Sequence, residues 1–398
     1  SIRQVAESAA VVITTVGPYL NFGEALVAAC AAAGTDYVDL TGEPEFVDRM
    51  WLKYNTQAQE SGARIVNCCG FDSIPHDLGA WFTVQHLPEG VPLKVEGFVR
   101  GGGKFSGGTL HSAVTAFSRM REGVKIARQR RASEGRPAGR KIASTHEKIH
   151  YEESFGAWAV PMPTIDPQMV RRSAAANERY GPDFRYGHYV LVKRLPQVAL
   201  LVAAVGGIFA GAQFKLTRDQ LLKLISPGEG PDAAQREKGW FKVCFIGEGG
   251  GKRVVTEVAG GDPGYGETAK MLGESAMCLA FDKLPRQGGV ITPAQAMGDA
   301  LMARLQAAGR APVREGCRAR ARRTMMGVLS GVRVVEIAGI GPAPFCGMLL
   351  ADMGADVILV ERSNMKAGDP LDLGDKAIVH RGKRSLAMDI RTPQGAEL

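Results

Sequence analysis

Three short runs of apolar and β-branched residues, each followed by a turn and a helix-like stretch, constrain this chain more than any other feature. The first, AVVITTV at residues 10–16, carries no polar alternation. That is how a strand buried on both faces of a parallel sheet reads. Gly17-Pro18-Tyr19 breaks it, and a helical pattern follows (FGEALVAACAAAG) with Gly34 placed as its C-cap. Residues 37–40 form the next strand, ending in Thr41-Gly42-Glu43 and followed by a helix over 44–61. The third run, ARIVNCC, leads into Gly70-Phe71-Asp72-Ser73-Ile74-Pro75. Strand, helix, strand, helix, strand with short links predicts a doubly wound parallel sheet. Ligands of such sheets sit at the carboxyl ends of the strands, so the loops at Gly17, Thr41 and Gly70 are the expected edge of a site.

From about residue 93 the pattern changes. Residues 94–100 alternate like a half-exposed strand, and a Gly-rich turn (GGGKFSGGT) leads into a long helix and a basic stretch. Strand-like runs at 187–192, 240–247 and 253–259 complete a mixed α+β domain over 91–261. Neither Gly-rich segment, 101–109 or 247–252, satisfies GxxxxGK[ST]. The first reads as a tight turn and the second as a hairpin turn rather than a phosphate loop. Helical spacing over 264–281 and again from 292 returns the chain to the first domain, across 262–310.

The net charge of +8 is concentrated. Residues 119–141 hold nine Lys or Arg against two Glu, and 310–324 hold six Arg. Such patches suit phosphate-bearing ligands, a solvated helix face or a linker. No nucleic-acid-binding motif accompanies them, so no nucleic-acid partner is expected. Seven Cys without paired spacing, Cys68 and Cys69 being adjacent, predict a reduced cytoplasmic setting and no metal site. Residues 195–214 (LPQVALLVAAVGGIFAGAQF) contain no charge and are bounded by Lys193-Arg194 and Lys215. Three readings stay open for this stretch: a buried segment, a contact with a membrane surface, and a bilayer span.

Near residue 326 the text changes character. After a basic linker, 311–325, a second strand, turn and helix begin (MGVLSGVRVVEIAGIGPAPFCGMLLADMGADVILVE). Residues 326–398 are therefore expected to form a partial second α/β unit, tethered by the linker and touching the first 310 residues little.

The phrases VVITTVGPY, GTDYVDLTGE, GFDSIPHDLG, FSGGT and TPAQAMGDALMARL, in this order, resemble saccharopine dehydrogenase-like oxidoreductases, and among them the trans-acting enoyl reductase type. The resemblance implies a Rossmann-type domain (residues 1–90) that binds NAD(P), and a substrate domain inserted before the last helices. In that family the chain opens with a strand, a Gly-rich loop and a helix that hold the pyrophosphate. No such element precedes Val11, so an incomplete Rossmann-like sheet is expected. Gly17, Pro18, Thr41, Gly70 and Asp72 are the candidate cofactor contacts, and His76, beside that loop, is the candidate proton donor. Against these stand plainer roles: a strand terminator for Gly17-Pro18, a helix N-cap for Asp72-Ser73, and surface polarity for His76.

The phrases LSGVRVVEIAGIGPAPFCGMLLADMGADVILVER and HRGKRSLAMDIRTPQG resemble family III CoA-transferases, a group that includes α-methylacyl-CoA racemases. That resemblance makes Arg362, Lys383 and Arg384 candidates for CoA phosphates. His380 stands where the family is expected to carry Asn, and the catalytic carboxylate is expected beyond Leu398. The expectation is thus an NAD(P)-dependent oxidoreductase acting on an acyl or lipid-linked substrate, fused to a CoA-transferase fragment. A CoA thioester is expected at the C-terminal unit only. A homodimer is expected for an intact chain, and membrane-surface contact through 195–214 follows if that segment is not buried. The alternatives are an acyl-CoA racemase or CoA-transferase, and an inactive chimeric fragment.

Overall fold

The computed structural model describes residues 1–102, 114–145, 148–223, 233–309, 329, 331–337, 342–362 and 378–388. The FSGGT phrase, the turn at 339–341 and the linker 311–325 lie outside the described residues, as does the side chain of Arg362.

The first sheet is parallel: β1 (Val11–Thr14), β2 (Asp36–Asp39), β3 (Arg64–Val66) and a late arrival, β11 (Gly289–Ile291), in that order. The helices Glu24–Ala33 and Pro44–Ser61 connect its first three strands, and Gly34 and Gly62 end them in left-handed conformation. At Gly34 a side chain would also be obstructed, its Cβ lying 2.9 Å from the Ser61 carbonyl oxygen. Periodicity had marked 262–310 as helical. The three-residue strand β11 inside it was too short to register.

The second sheet is mixed, in the order β10–β9–β4–β8–β7–β6: β10 (Lys252–Gly260), β9 (Trp240–Gly249), β4 (Leu93–Gly102), β8 (Asp183–Val192), β7 (Ala157–Pro161) and β6 (His150–Glu152). A seventh strand, β5 (Lys141–Ser144), pairs with β8. The β9–β10 turn is Gly250-Gly251, both at positive φ (57° and 76°), as a two-residue hairpin requires. One core joins the two sheets, running from Val38 and Val66 through Ile74 and Leu272 to Val95, Tyr186 and Phe245. The helix Ile74–Gln85 sits directly on β9: a Cβ at Gly79 would fall 2.3 Å from the Phe245 ring.

The third sheet is parallel: β12 (Arg333–Ile337), β13 (Asp356–Arg362) and β14 (Lys383–Met388), with the helix Pro342–Asp352 as crossover.

One expectation is corrected, and one of the readings left open is excluded. Strand β1 ends the first sheet, with Val12 and Thr14 buried and Val11 and Ile13 half-buried. Its outer flank is covered by β12, which runs beside it without ladder pairing. The C-terminal unit accordingly does not hang free. Ala269 and Met277 of the helix Gly266–Phe281 share a core with Leu329, Val334, Cys346 and Leu350, because both surfaces are apolar and neither is otherwise covered. Finally, residues 195–214 are not buried. They form the helix Leu195–Gln213, of which only Val198 and Ala212 are buried.

Candidate functional site

The carboxyl ends of β2 and β3 are tied together by one carboxylate. Asp39 Oδ1 accepts from the backbone N–H of Thr41 (3.1 Å) and of Cys68 (2.9 Å). Asp39 Oδ2 accepts from the Tyr37 hydroxyl (2.9 Å) and the Asn67 amide (2.7 Å). Burial pushes Asp39 up to about 6, and these four donors hold it there rather than higher. Thr41 is fully buried, and its hydroxyl accepts from Glu43 N–H. Thr41 therefore shapes the loop from inside.

Between β3 and the helix Ile74–Gln85 the backbone is strained. Cys68 (φ 64°) and Ser73 (φ 119°) are the two non-glycine residues at positive φ among the described residues. Ser73 occupies the N-cap position of that helix but makes no capping bond. Its hydroxyl lies instead 3.5 Å from Asp166 Oδ1. The N-cap reading of this residue places it on the helix but misses its contact.

His76, in the first turn of the same helix, is 2 % exposed, so it is not surface. The structure brings it together with two residues that spacing gave no reason to join. Asp166 opens the helix Asp166–Ala176, and His188 projects from β8. His76 Nε2 lies 3.7 Å from Asp166 Oδ1, and His188 Nε2 lies 3.6 Å from Asp166 Oδ2. Both distances are just beyond hydrogen-bond length. The rings meet edge-on at 4.7 Å, with Phe71 against the other side of His76. Tyr186, two residues before His188 and so on the same face of β8, places its hydroxyl 3.2 Å from His188 Nδ1. Thr164 donates its hydroxyl to Asp166 Oδ2. The helix carrying Asp166 is itself pinned to the first domain, where Arg172 donates to the Val290 carbonyl (2.7 Å) and Ser173 meets Thr292 (2.5 Å).

Three wholly buried titratable groups therefore stand within 4.8 Å of one another. Burial drives both histidines down to about 3, so each is a neutral imidazole near neutral pH. Burial likewise raises Asp166, against the pull of His188. His76 Nδ1 and His188 Nε2 have no hydrogen-bond partner among the described residues. Two imidazoles and a carboxylate form a donor set able to hold a small cation, which the cysteine pattern gave no reason to expect.

Asp72 stands at the mouth of this cluster, open to solvent, its Oδ2 only 2.8 Å from the place a Gly42 Cβ would take. The protein crowded around it and the nearby Asp166 carboxylate raise it, while its access to water screens part of that effect. Gly70 is buried against Leu40 and Thr268. Gly17 is exposed at the end of β1, with nothing but the Tyr19 ring near it, and Pro18 follows half-buried. The helix after Pro18, Tyr19–Phe22, gives its first N–H groups to Glu43 (3.0 Å each), so this helix start is already occupied by a carboxylate. A cavity of about 560 Å³ between Gln59, Arg64 and Pro285 opens at the amino ends of the strands, away from the cluster.

In the C-terminal unit Lys383 is buried, pairing with Glu336 Oε2 (2.6 Å) and donating to the Pro344 carbonyl (2.8 Å). Arg384 is exposed and pairs with Asp356. His380 closes a short 3-10 turn, Ile378–His380.

Over 78% of its length the chain is 38% identical to a putative trans-acting enoyl reductase of Mycobacterium tuberculosis, covering 81% of that protein. The chain belongs to the trans-acting enoyl reductase family. Within that family it is also 34% identical to the trans-acting enoyl reductase of Mycobacterium ulcerans, again over 78% of this chain and 81% of the relative. Residues 329–398 match CoA-transferase family III, so the family body is followed by a segment of a different kind. Among solved structures, apo saccharopine dehydrogenase (L-Glu forming) from Saccharomyces cerevisiae aligns over 77% of this chain and 84% of its own, with 13% identity and a TM-score of 0.43.

Proposed function

We propose that residues 1–309 act as an NAD(P)-dependent oxidoreductase that reduces the carbon–carbon double bond of an α,β-unsaturated acyl substrate. The observation that carries this is the buried His76–Asp166–His188 cluster at the carboxyl ends of β2 and β3, with Asp72 open to solvent beside it. The family's name is that of an enoyl reductase. The exposed Gly17 backbone fits the nicotinamide-ribose end of a dinucleotide and would hold it. Gly70, buried against Leu40 and Thr268, and Thr41, engaged inside its loop, support that edge indirectly. A bound reduced nicotinamide supplies hydride.

Hydride addition at the β-carbon leaves negative charge that is quenched by a proton at the α-carbon. The chain's own residues meet that need. Asp72, raised into the neutral range and accessible, is the group that delivers the proton. The Asp166 carboxylate helps to raise Asp72 through its charge and is held in place by Ser73 and Thr164. The two neutral imidazoles line the buried side of Asp166 and leave its carboxyl group in surroundings of low polarity. Phe71 and the buried rings keep bulk water from the cluster.

The test is reduction of an enoyl thioester by the full chain, followed through nicotinamide absorbance. Asp72→Asn should lower the rate about 100-fold or more and remove the alkaline-side limb of the pH profile, because a group that delivers a proton acts only while protonated. A variant with wild-type rate and profile would sink the assignment. For the C-terminal segment both described candidates are engaged, Lys383 with Glu336 inside the unit and Arg384 with Asp356 at its surface, so a CoA phosphate would have to compete with Asp356 for Arg384.

A further inference from the structure

The helix Leu195–Gln213 has a mean hydropathy of 1.9 over its most apolar stretch, yet little of it is covered. Leu195, Leu200, Val202, Val205 and Phe209 are 54, 71, 48, 38 and 36 % exposed, and Gly206 and Gly207 face open space. Phe214 and Leu216, 69 and 74 % exposed, continue the surface into the helix Lys215–Leu221. That second helix folds back on the first: the Thr217 hydroxyl donates to the Gly211 carbonyl (2.6 Å), and Leu221 lies against Gly211. An apolar helical hairpin of this size in water is costly, and something covers it.

Charge indicates what. Lys193 and Arg194 precede the hairpin, and Lys215, Arg218 and Lys223 lie on or after its second helix, against one acid, Asp219. A neighbouring helix adds to both properties. Phe117 meets Phe209 edge-on at 5.7 Å, and the Phe117 carbonyl accepts from Gln213 (3.0 Å). The helix that follows, Met120–Glu134, starts with exposed Met120 and Val124. It then presents Arg121, Lys125 and Arg128 at helical spacing, all exposed. None of these eight cations forms an ion pair with a described residue. By contrast, Arg119 and Arg130 of the same region are engaged with Glu45 and Asp48. The apolar surface is thus bordered by cations left available for an external anion.

We propose that this hairpin, with the start of the helix Met120–Glu134, is a docking surface for an anionic phospholipid bilayer. The apolar side chains enter the headgroup and acyl boundary, and the cations meet lipid phosphates. The helix is about 29 Å long, enough to span. It lies in the interface instead, because it runs beside β7 and β8, with Val198 buried near its start, while near its end Phe209 and Gln213 contact Phe117 of the same protein body. Crossing the bilayer would put those ends on opposite sides. The surface is separate from the His76–Asp166–His188 cluster and does not depend on the reaction proposed for it.

Co-sedimentation of the full chain with phosphatidylcholine vesicles, with and without phosphatidylglycerol, tests this. Binding should require phosphatidylglycerol and weaken with added salt. The exposed double variant Leu200→Glu/Val205→Glu should bind about tenfold or more weakly, and Arg121→Glu/Lys125→Glu should lose the preference for anionic vesicles. Both should keep the wild-type melting curve, since the substituted side chains are on the surface. Absence of vesicle binding, or equal binding by wild type and both variants, overturns the proposal. So does a concentration-dependent dimer that Leu200→Glu/Val205→Glu dissociates while vesicles are ignored, which would assign the surface to a second copy.

Discussion

Two of the buried clusters of charged or titratable side chains among the described residues, one in each part of the chain, are built on different principles. In the C-terminal unit, Lys383 and Glu336 meet directly at 2.6 Å, and the ammonium also reaches the Pro344 carbonyl. Charge faces charge and the ammonium is hydrogen-bonded. At the other site, His76, Asp166 and His188 stand 3.6–3.7 Å apart, two ring nitrogens are unpaired, and the loop leading to them holds two residues at positive φ. A close ion pair is what a fold requires once it has buried two charges. Two neutral imidazoles held slightly too far from a buried carboxyl group, beside a loop with strained backbone, make poor structure and a candidate for proton chemistry. The contrast separates a structural pair from a chemical one without reference to any relative.

The largest effect that would break the contrast is kinetic. His188→Gln should lower enoyl-thioester reduction about 100- to 10,000-fold with little change in the melting curve. Lys383→Met should leave that rate within about twofold of wild type. Equal losses from both would erase the distinction. Next comes stability. Removing Lys383 strands Glu336 in a buried position at a cost of about 3–5 kcal/mol, so the strands β12 and β14 should exchange amide hydrogens much faster while β2 and β3 keep their protection. Protection lost uniformly would mean the two units unfold as one.

A third effect is pH-dependent. Both histidines are neutral when folded and titrate near 6.5 when exposed, so the unfolded chain takes up more protons below that pH. The stability they contribute is present above about 6.5 and is lost as pH falls toward 3. Asp39 and Asp77, each raised to about 6, act in the opposite sense between about 4 and 6, where the folded chain holds the extra proton. The wild-type profile is therefore flattened, and a difference measurement is needed. The stability gap between wild type and His188→Asn, from urea titration, should be about 2 kcal/mol smaller at about pH 5 than at about pH 7.5. A constant gap would show His188 to be solvated or charged in the folded chain.

The smallest effect concerns Ser73. Glycine accepts a φ of 119° without strain, so Ser73→Gly should stabilise the chain by about 0.5–1 kcal/mol while slowing reduction, having lost the hydroxyl beside Asp166. A destabilised but fully active variant would make this residue structural.

The first three strands and β4, β8, β9 and β10 of the second sheet were legible because a buried parallel strand writes itself as an unbroken apolar run and a half-exposed one as alternation, whereas the short strands β5, β6 and β7 were not. What was not legible depended on distance along the chain. Strand β11 is three residues long and takes its place only by pairing with β3. His76 could be singled out from its position after the Gly70 loop. Asp166 reads as an ordinary acid at a helix start, and His188 as one more inward residue of an alternating strand. Only the parallel pairing of β4 with β8 and the seating of Asp166–Ala176 bring them to His76. Apolar character likewise predicted the helix Leu195–Gln213 but not its exposure, because an apolar sequence states a preference for nonaqueous surroundings without saying whether protein or lipid provides them.

The late strand β11 has a consequence for synthesis. Strand β3 waits for its outer partner, which leaves the ribosome roughly 220 residues later, a delay of tens of seconds at ordinary elongation rates. The whole second domain is made within that interval. For this time the Ile65–Val66 edge is an open template for pairing with another chain. Slowing translation between residues 70 and 290 should raise aggregation of this chain far more than slowing it after residue 310.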